Sequence, residues 1–92
     1  MYLSIINVKA LENYELEITF ENNEVKLFDV KPYLDTGLFS TLKDKKLFKK
    51  VKIAFDTIEW PNGIDLDPEI VYEKSKYKNI KNFKNKASTK YT

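Results

Sequence analysis

Cysteine, histidine, arginine and glutamine are all missing from this chain of 92 residues. Without cysteine there is no disulfide framework, no thiolate nucleophile and no sulfur-ligated zinc. Without histidine the usual neutral-pH proton shuttle and the commonest transition-metal ligand are gone. Triad hydrolases, zinc peptidases and thiol enzymes are therefore excluded, and the expectation is of a protein that is not an enzyme and carries no cofactor. All sixteen basic residues are lysine, which removes the planar guanidinium fork that reads guanine edges and clamps phosphate. No apolar run is long enough for a membrane-spanning helix, and no basic and apolar leader opens the chain. A cytoplasmic location without a membrane partner is expected.

What remains is ample for one core. Hydrophobic residues make up 42% of the chain and aromatic residues 14%, enough to fold one domain but not two, since each half would be too small for a core of its own. Charge is sharply divided. Residues 1–73 hold nine lysines against fourteen acids, a balance of −5, whereas residues 74–92 hold seven lysines and no acid. The expected organisation is a single α+β domain over residues 1–73, followed by a Lys-rich helical extension or flexible tail over 74–92. Tyr77, Ile80, Phe83 and Ala87 space a thin apolar stripe along that segment.

Tyr14, Leu16, Ile18 and Phe20 alternate with Glu15, Glu17, Thr19 and Glu21, the period-two pattern of a strand with one buried face. Asn22 and Asn23 then tolerate the positive φ of a tight turn, and a two-residue loop sets Phe20 opposite Val25 and Ile18 opposite Leu27. In that register Phe28 and Val30 point away from the Val25 and Leu27 face, leaving a second apolar face to be covered. Tyr2 to Val8 supplies a strand before this hairpin.

Pro32 interrupts the sheet. Leu38, Phe39 and Leu42, then Leu47, Phe48 and Val51, approach helical spacing, with Asp44 placed to cap the second piece. Val51, Ile53 and Phe55 alternate again, as do Ile58 and Trp60, which predicts a second hairpin ended by Pro61, Asn62 and Gly63. In Asp67-Pro68-Glu69, an Asp cap, a Pro at the first position and an early acid predict a helix through Ile70, Val71 and Tyr72. The fold class is α+β: a small, mainly antiparallel sheet of about five strands with short helices and a C-terminal helix or tail.

In order, the paired strands, the fragment Leu27-Phe28-Asp29-Val30, Gly37-Leu38-Phe39 with Leu42 and Phe48, and the run from Ile58-Glu59-Trp60-Pro61-Asn62-Gly63 to Asp67-Pro68-Glu69 resemble the small bacterial domains of unknown function numbered 2442. The resemblance covers about residues 3–73. It implies an α+β domain without an established activity, often encoded near small proteins suspected to be toxins, and it supplies no catalytic residues to carry over.

Candidate contact residues follow from these patterns. Phe28 and Val30 on the second face, Trp60 as a recognition aromatic, and Asn62 and Asp65 in the following turn form the expected interaction surface. The plainer reading of Trp60 is a core side chain continuing the alternation of Ile58. Asp65, Asp67 and Glu69 lack the full ligand pattern of a calcium loop, and capping accounts for two of them, so no metal is expected. Lys76, Lys78, Lys81, Lys84 and Lys86, interleaved with aromatic residues, are candidates for nucleic acid or an acidic partner. The resulting expectation is a protein-interaction module, antitoxin-like towards a small neighbouring-gene protein, with a homodimer formed through the uncovered sheet face. The alternatives are a nucleic-acid-associated regulator using the basic segment and a small-ligand sensor.

Overall fold

The alternation from Leu16 to Phe20 organises the first sheet. A computed structural model describes residues 3–78. Among them, β1 (Ile5–Ala10), β2 (Glu15–Phe20) and β3 (Val25–Asp29) form an antiparallel meander. Leu16, Ile18 and Phe20 are fully buried, each contributing roughly 1.5–3 kcal/mol of burial free energy. An extra residue at Ile6 bulges β1, because Ile5 pairs with Phe20 while Asn7 pairs with Thr19. That bulge lets Ile5 and Val8, three residues apart, both face the core, and it pushes Ile6 out to solvent.

The β2–β3 turn corrects the expected register. Three residues, not two, form the loop: the Phe20 amide donates to the Glu24 carbonyl at 2.9 Å, the Asn23 amide donates to the Phe20 carbonyl at 2.8 Å, and Asn23 takes φ +71°. One added loop residue shifts the pairing by one and sends every β3 side chain to the opposite face. Thr19 therefore faces Val25, Ile18 faces Lys26 and Leu16 faces Phe28. Phe28 and Val30 turn inward and are covered by their own chain, at 1% and 0% exposure. The second apolar face is replaced by half-buried Val25 and Leu27, set across from Thr19 and Glu17.

After β3, Lys31–Tyr33 and Gly37–Lys43 wind as 3-10 turns, and α1 (Lys45–Phe48) starts where the Asp44 carboxylate accepts from the Lys46 amide. A second antiparallel sheet follows, with β4 (Lys52–Ala54), β5 (Thr57–Glu59) and β6 (Asp65–Leu66) in that order. Its first turn is Phe55-Asp56, one residue earlier than the alternation predicts. Its second repeats the Asn23 device: the Trp60 amide donates to the Ile64 carbonyl, the Gly63 amide donates to the Trp60 carbonyl, and Gly63 takes φ +90°. The two sheets meet near the start of β1, where the Ile5 amide donates to the Asp56 carbonyl at 3.1 Å.

The helix α2 (Pro68–Lys74) begins as expected, with the Asp67 carboxylate accepting from the Glu69 amide at 2.8 Å. It ends at Lys74. Beyond it β7 (Lys76–Tyr77) joins the first sheet beside β3, so the domain runs past Glu73. The fold is α+β with four- and three-stranded antiparallel sheets rather than one sheet of about five strands. One apolar cluster unites the sheets, the 3-10 segment and both helices, through Leu42, Phe48, Ile58, Trp60, Leu66 and Val71. Among the described residues, no helix is long and apolar enough to cross a membrane.

Candidate functional site

Two of the segments that carry the family resemblance converge on one open cleft. One wall is the start of the 3-10 segment, from Thr36 to Phe39, and the other is Gly63, Ile64 and Asp65 after the Trp60 turn. Each wall has a glycine in the left-handed region, Gly37 at φ +47° and Gly63 at φ +90°. The Asn62 amide nitrogen donates to Thr41 Oγ1 at 2.9 Å and ties the turn to the 3-10 segment. Beneath, Phe39 packs on Tyr33 and Tyr33 on Phe28, with ring centroids 5.8 and 5.9 Å apart, which anchors the wall to the core. The cleft is shallow and wide open to solvent, with a volume of about 460 Å³.

Its lining is mostly apolar, with Asp65 as the one acid among the lining residues. Leu38 is 71% exposed, because a 3-10 turn repeats every three residues and aligns Phe39 with Leu42 towards the core, leaving Leu38 off that face. Asp65 lies directly across from Glu59 in the β5–β6 pair, a like-charge pairing that weakens a sheet. Among the described residues neither carboxylate forms an ion pair.

The expected contact residues divide. Asn62 and Asp65 are exposed; Asp65 lines the cleft, and Asn62 lies beside it in the turn that bonds Thr41. Phe28, Val30 and Trp60 are buried and present no surface to a partner. The Trp60 indole fills the core and its Nε1 donates to the Phe48 carbonyl at 2.9 Å, the plainer reading of that residue. Lys76 and Lys78 sit at the sheet edge, where the Lys78 ammonium bonds Glu17 Oε2 at 2.6 Å. Lys81, Lys84 and Lys86 lie outside the described residues. Among the described residues, no three acidic groups are placed to hold a metal ion.

A second polar cluster fastens α2 and β7 to the first sheet. Lys26, turned inward by the shifted register, is only 5% exposed. Its Nζ donates to the Tyr72 carbonyl at 2.7 Å and lies 3.8 Å from the Tyr72 ring centre and 4.5 Å from that of Tyr77. The Glu24 carboxylate accepts from the Tyr72 hydroxyl at 2.6 Å and from the Tyr77 hydroxyl at 3.0 Å. The Tyr72 and Asn22 hydrogen bonds hold Glu24 below the ordinary carboxylate range, and the bond to Glu24 raises the Tyr72 phenol above its own. Burial lowers the Lys26 ammonium, opposed by the nearby Glu24 charge. These groups are spent on one another, and the cluster acts as a latch.

Three features escaped the sequence reading. Leu38 was masked by its helical-looking neighbours, and Phe55, 98% exposed, by an alternation that placed it in a strand. The third is a charge reversal inside the acidic body: residues 43–52 hold six lysines and one acid, whereas 53–73 hold six acids and no lysine. The whole-body balance concealed it. Neither a curated protein nor a solved structure matches the chain. The model of a family described as proteins of unknown function, DUF2442, matches residues 5–77, spanning both cleft walls and the latch, and the chain belongs to that family.

Proposed function

We propose that this chain is a non-enzymatic protein-interaction module that takes a segment of another protein into the Leu38–Asp65 cleft. The observation that carries this reading is Leu38, a large aliphatic side chain held 71% exposed on a wall that is itself pinned by Asn62 and Thr41. An exposed apolar group on a fixed wall gains free energy only when something covers it. Asp65 adds the selectivity, since a rim carboxylate without an ion pair favours an occupant bearing a lysine or arginine beside an apolar side chain.

The antitoxin-like form of this proposal, in which the occupant is a small protein encoded next door, draws its support from the family resemblance. Coexpression with that neighbour and copurification of the pair test it. Leu38→Asp is expected to abolish capture while leaving the melting temperature unchanged, because the side chain contributes little to the core. Asp65→Lys is expected to weaken capture of a basic segment at low salt. Capture indifferent to both substitutions would dismiss the cleft as the site.

A further inference from the structure

The wall of the cleft that carries Asp65 is also the edge of a sheet. The second sheet runs β4-β5-β6, so β6 (Asp65–Leu66) has a strand on one side only. No residue of β5 lines the cleft, which therefore opens on the other side. In an antiparallel pair, a residue whose amide and carbonyl bond the partner strand is followed by one whose groups point away from it. The Ile64 carbonyl accepts from the Trp60 amide at 2.8 Å and the Leu66 carbonyl accepts from Thr57 Oγ1, both towards β5. Asp65, between them, turns its amide and carbonyl outwards, and among the described residues neither has a partner.

The first sheet shows how this fold fills such a position. Its β2–β3 turn is closed by the same hydrogen bonds as the Trp60 turn, from the Phe20 amide to the Glu24 carbonyl and from the Asn23 amide to the Phe20 carbonyl. Val25 then stands where Asp65 stands in the second sheet, and its outward carbonyl accepts from the Lys78 amide at 3.2 Å as β7 joins the edge. Since β7 is only two residues long, a short edge suffices to hold a strand. In the second sheet the equivalent place is open, and Leu38 stands across the cleft from it.

The side chains on the solvent face of this sheet leave the same gap. Lys52 stands across from Glu59, and Glu59 across from Asp65. Lys43, at the end of the 3-10 segment, is ion-paired to Asp35 at 2.9 Å. Both lysines thus face an acid of their own, and Asp65 ends the row without a cation beyond it. An opposite charge on one further strand completes the row.

We infer that the cleft takes its occupant as an added strand: an extended segment of another protein pairs with the free edge of β6 through the Asp65 amide and carbonyl, and sets a lysine or arginine beside the Asp65 carboxylate. The inference rests on the cleft reading above and names the form of its ligand. Because successive side chains of a strand point to opposite faces, the residues on either side of the basic one turn to the face of Ile64 and Leu66, which are 7% and 8% exposed, and are apolar. Main-chain bonds hold the segment, and its apolar, basic, apolar order selects it.

NMR titration of the full chain with a synthetic peptide, a central valine–lysine–valine flanked by threonines, tests the inference. In the free chain the Asp65 amide is expected to exchange with solvent unprotected, and saturating peptide to slow that exchange about tenfold or more, with shifts at Leu38 and Gly63. A peptide with glutamate in place of the lysine is expected to bind about fivefold more weakly. Asp65→Asn should erase that preference while its amide stays protected by the peptide. Asp65→Pro removes the outward amide, a change that an edge position tolerates, and should abolish binding while a thermal melt shows the chain folded. A peptide that shifts Leu38 but leaves the Asp65 amide exchanging freely would overturn strand addition and leave the cleft reading standing. A peptide that moves neither would also overturn it, and loss of neighbour capture in Leu38→Asp would then judge the cleft on its own. An Asp65 amide already protected in the free chain would overturn the choice of another protein: protection that grows with concentration means a second copy fills the edge, and protection that does not means the chain fills it with its own residues.

Discussion

The turn after β2 and the turn after β4 both require a residue in the left-handed region, and they fill it with opposite kinds of side chain. Asn23, at φ +71°, joins two long strands whose inward residues Leu16, Ile18, Phe20 and Phe28 are almost wholly buried. Phe55, at φ +59°, joins two strands of three residues, with Ile53 partly exposed and its own ring in solvent. Gly63, at φ +90° in the remaining turn, sides with Asn23 in obeying local backbone preference. Where the first hairpin is shaped by the needs of folding, the second is held up by the rest of the domain and presents something outward.

The most forceful way to break this contrast is to truncate one phenylalanine in each hairpin. Phe28→Ala, at a site 1% exposed, is expected to cost about 3–5 kcal/mol of stability, from lost burial and the cavity left among Tyr33 and its neighbours. Phe55→Ala is expected to change stability by less than about 0.5 kcal/mol. Urea denaturation of both variants measures the difference. A cost at Phe55 above about 2 kcal/mol, the range of core truncations, would mean that its ring packs against the fold.

A smaller effect sharpens the comparison by exchanging the turn residues. Asn23→Phe is expected to lose roughly 1 kcal/mol and Phe55→Asn to gain about as much, because a bulky L-residue in the left-handed region carries a steric penalty that asparagine largely escapes. The same denaturation curves read both, and the opposite signs are the point. If both variants lose stability, the backbone at Phe55 is not a source of strain.

Most of the architecture was legible in the sequence because its signals are local. Leu16, Ile18 and Phe20 alternate without interruption, Asp44 and Asp67 sit where helices need a cap, and Pro61-Asn62-Gly63 can hardly be anything but a turn. The register of β3 was not legible. Glu21-Asn22-Asn23-Glu24 accommodates a two- or a three-residue loop, and that single residue decides whether Phe28 or Leu27 faces the core. Lys26 conceals the answer: a lysine looks like an outward marker, yet it is buried here by Tyr72 and Tyr77, which lie 46 and 51 residues further along. The exposure of Asn62 and Asp65 was legible because turns display polar residues. Leu38 and Phe55 were missed because their exposure depends on 3-10 periodicity and on where a hairpin turns, neither of which hydrophobic spacing reveals. Trp60 is buried, as the strand alternation with Ile58 implies.

The gentlest test concerns how the first hairpin is latched. Glu24 receives the Tyr72 and Tyr77 hydroxyls and titrates below its ordinary value of 4.5, with the Tyr72 bond the largest cause. A carboxyl depressed by folding contributes stability that is complete above its unfolded value and fades as pH falls through the folded one. Acidification below pH 4.5 should therefore release β7 and the end of α2 while β1, β2 and β3 stay paired. Tyrosine ring resonances followed by NMR should shift with a midpoint below 4.5, and Glu24→Gln should remove that transition. Tyr72→Phe should move the Glu24 midpoint upward by deleting the main hydrogen bond. At the alkaline end the latch should outlast an ordinary tyrosine, since the Tyr72 phenol is raised above 10.0 and stays protonated beyond it. An unmoved Glu24 midpoint in Tyr72→Phe would show that the carboxylate is held from elsewhere, and the first hairpin would then owe its fixed position to apolar packing alone.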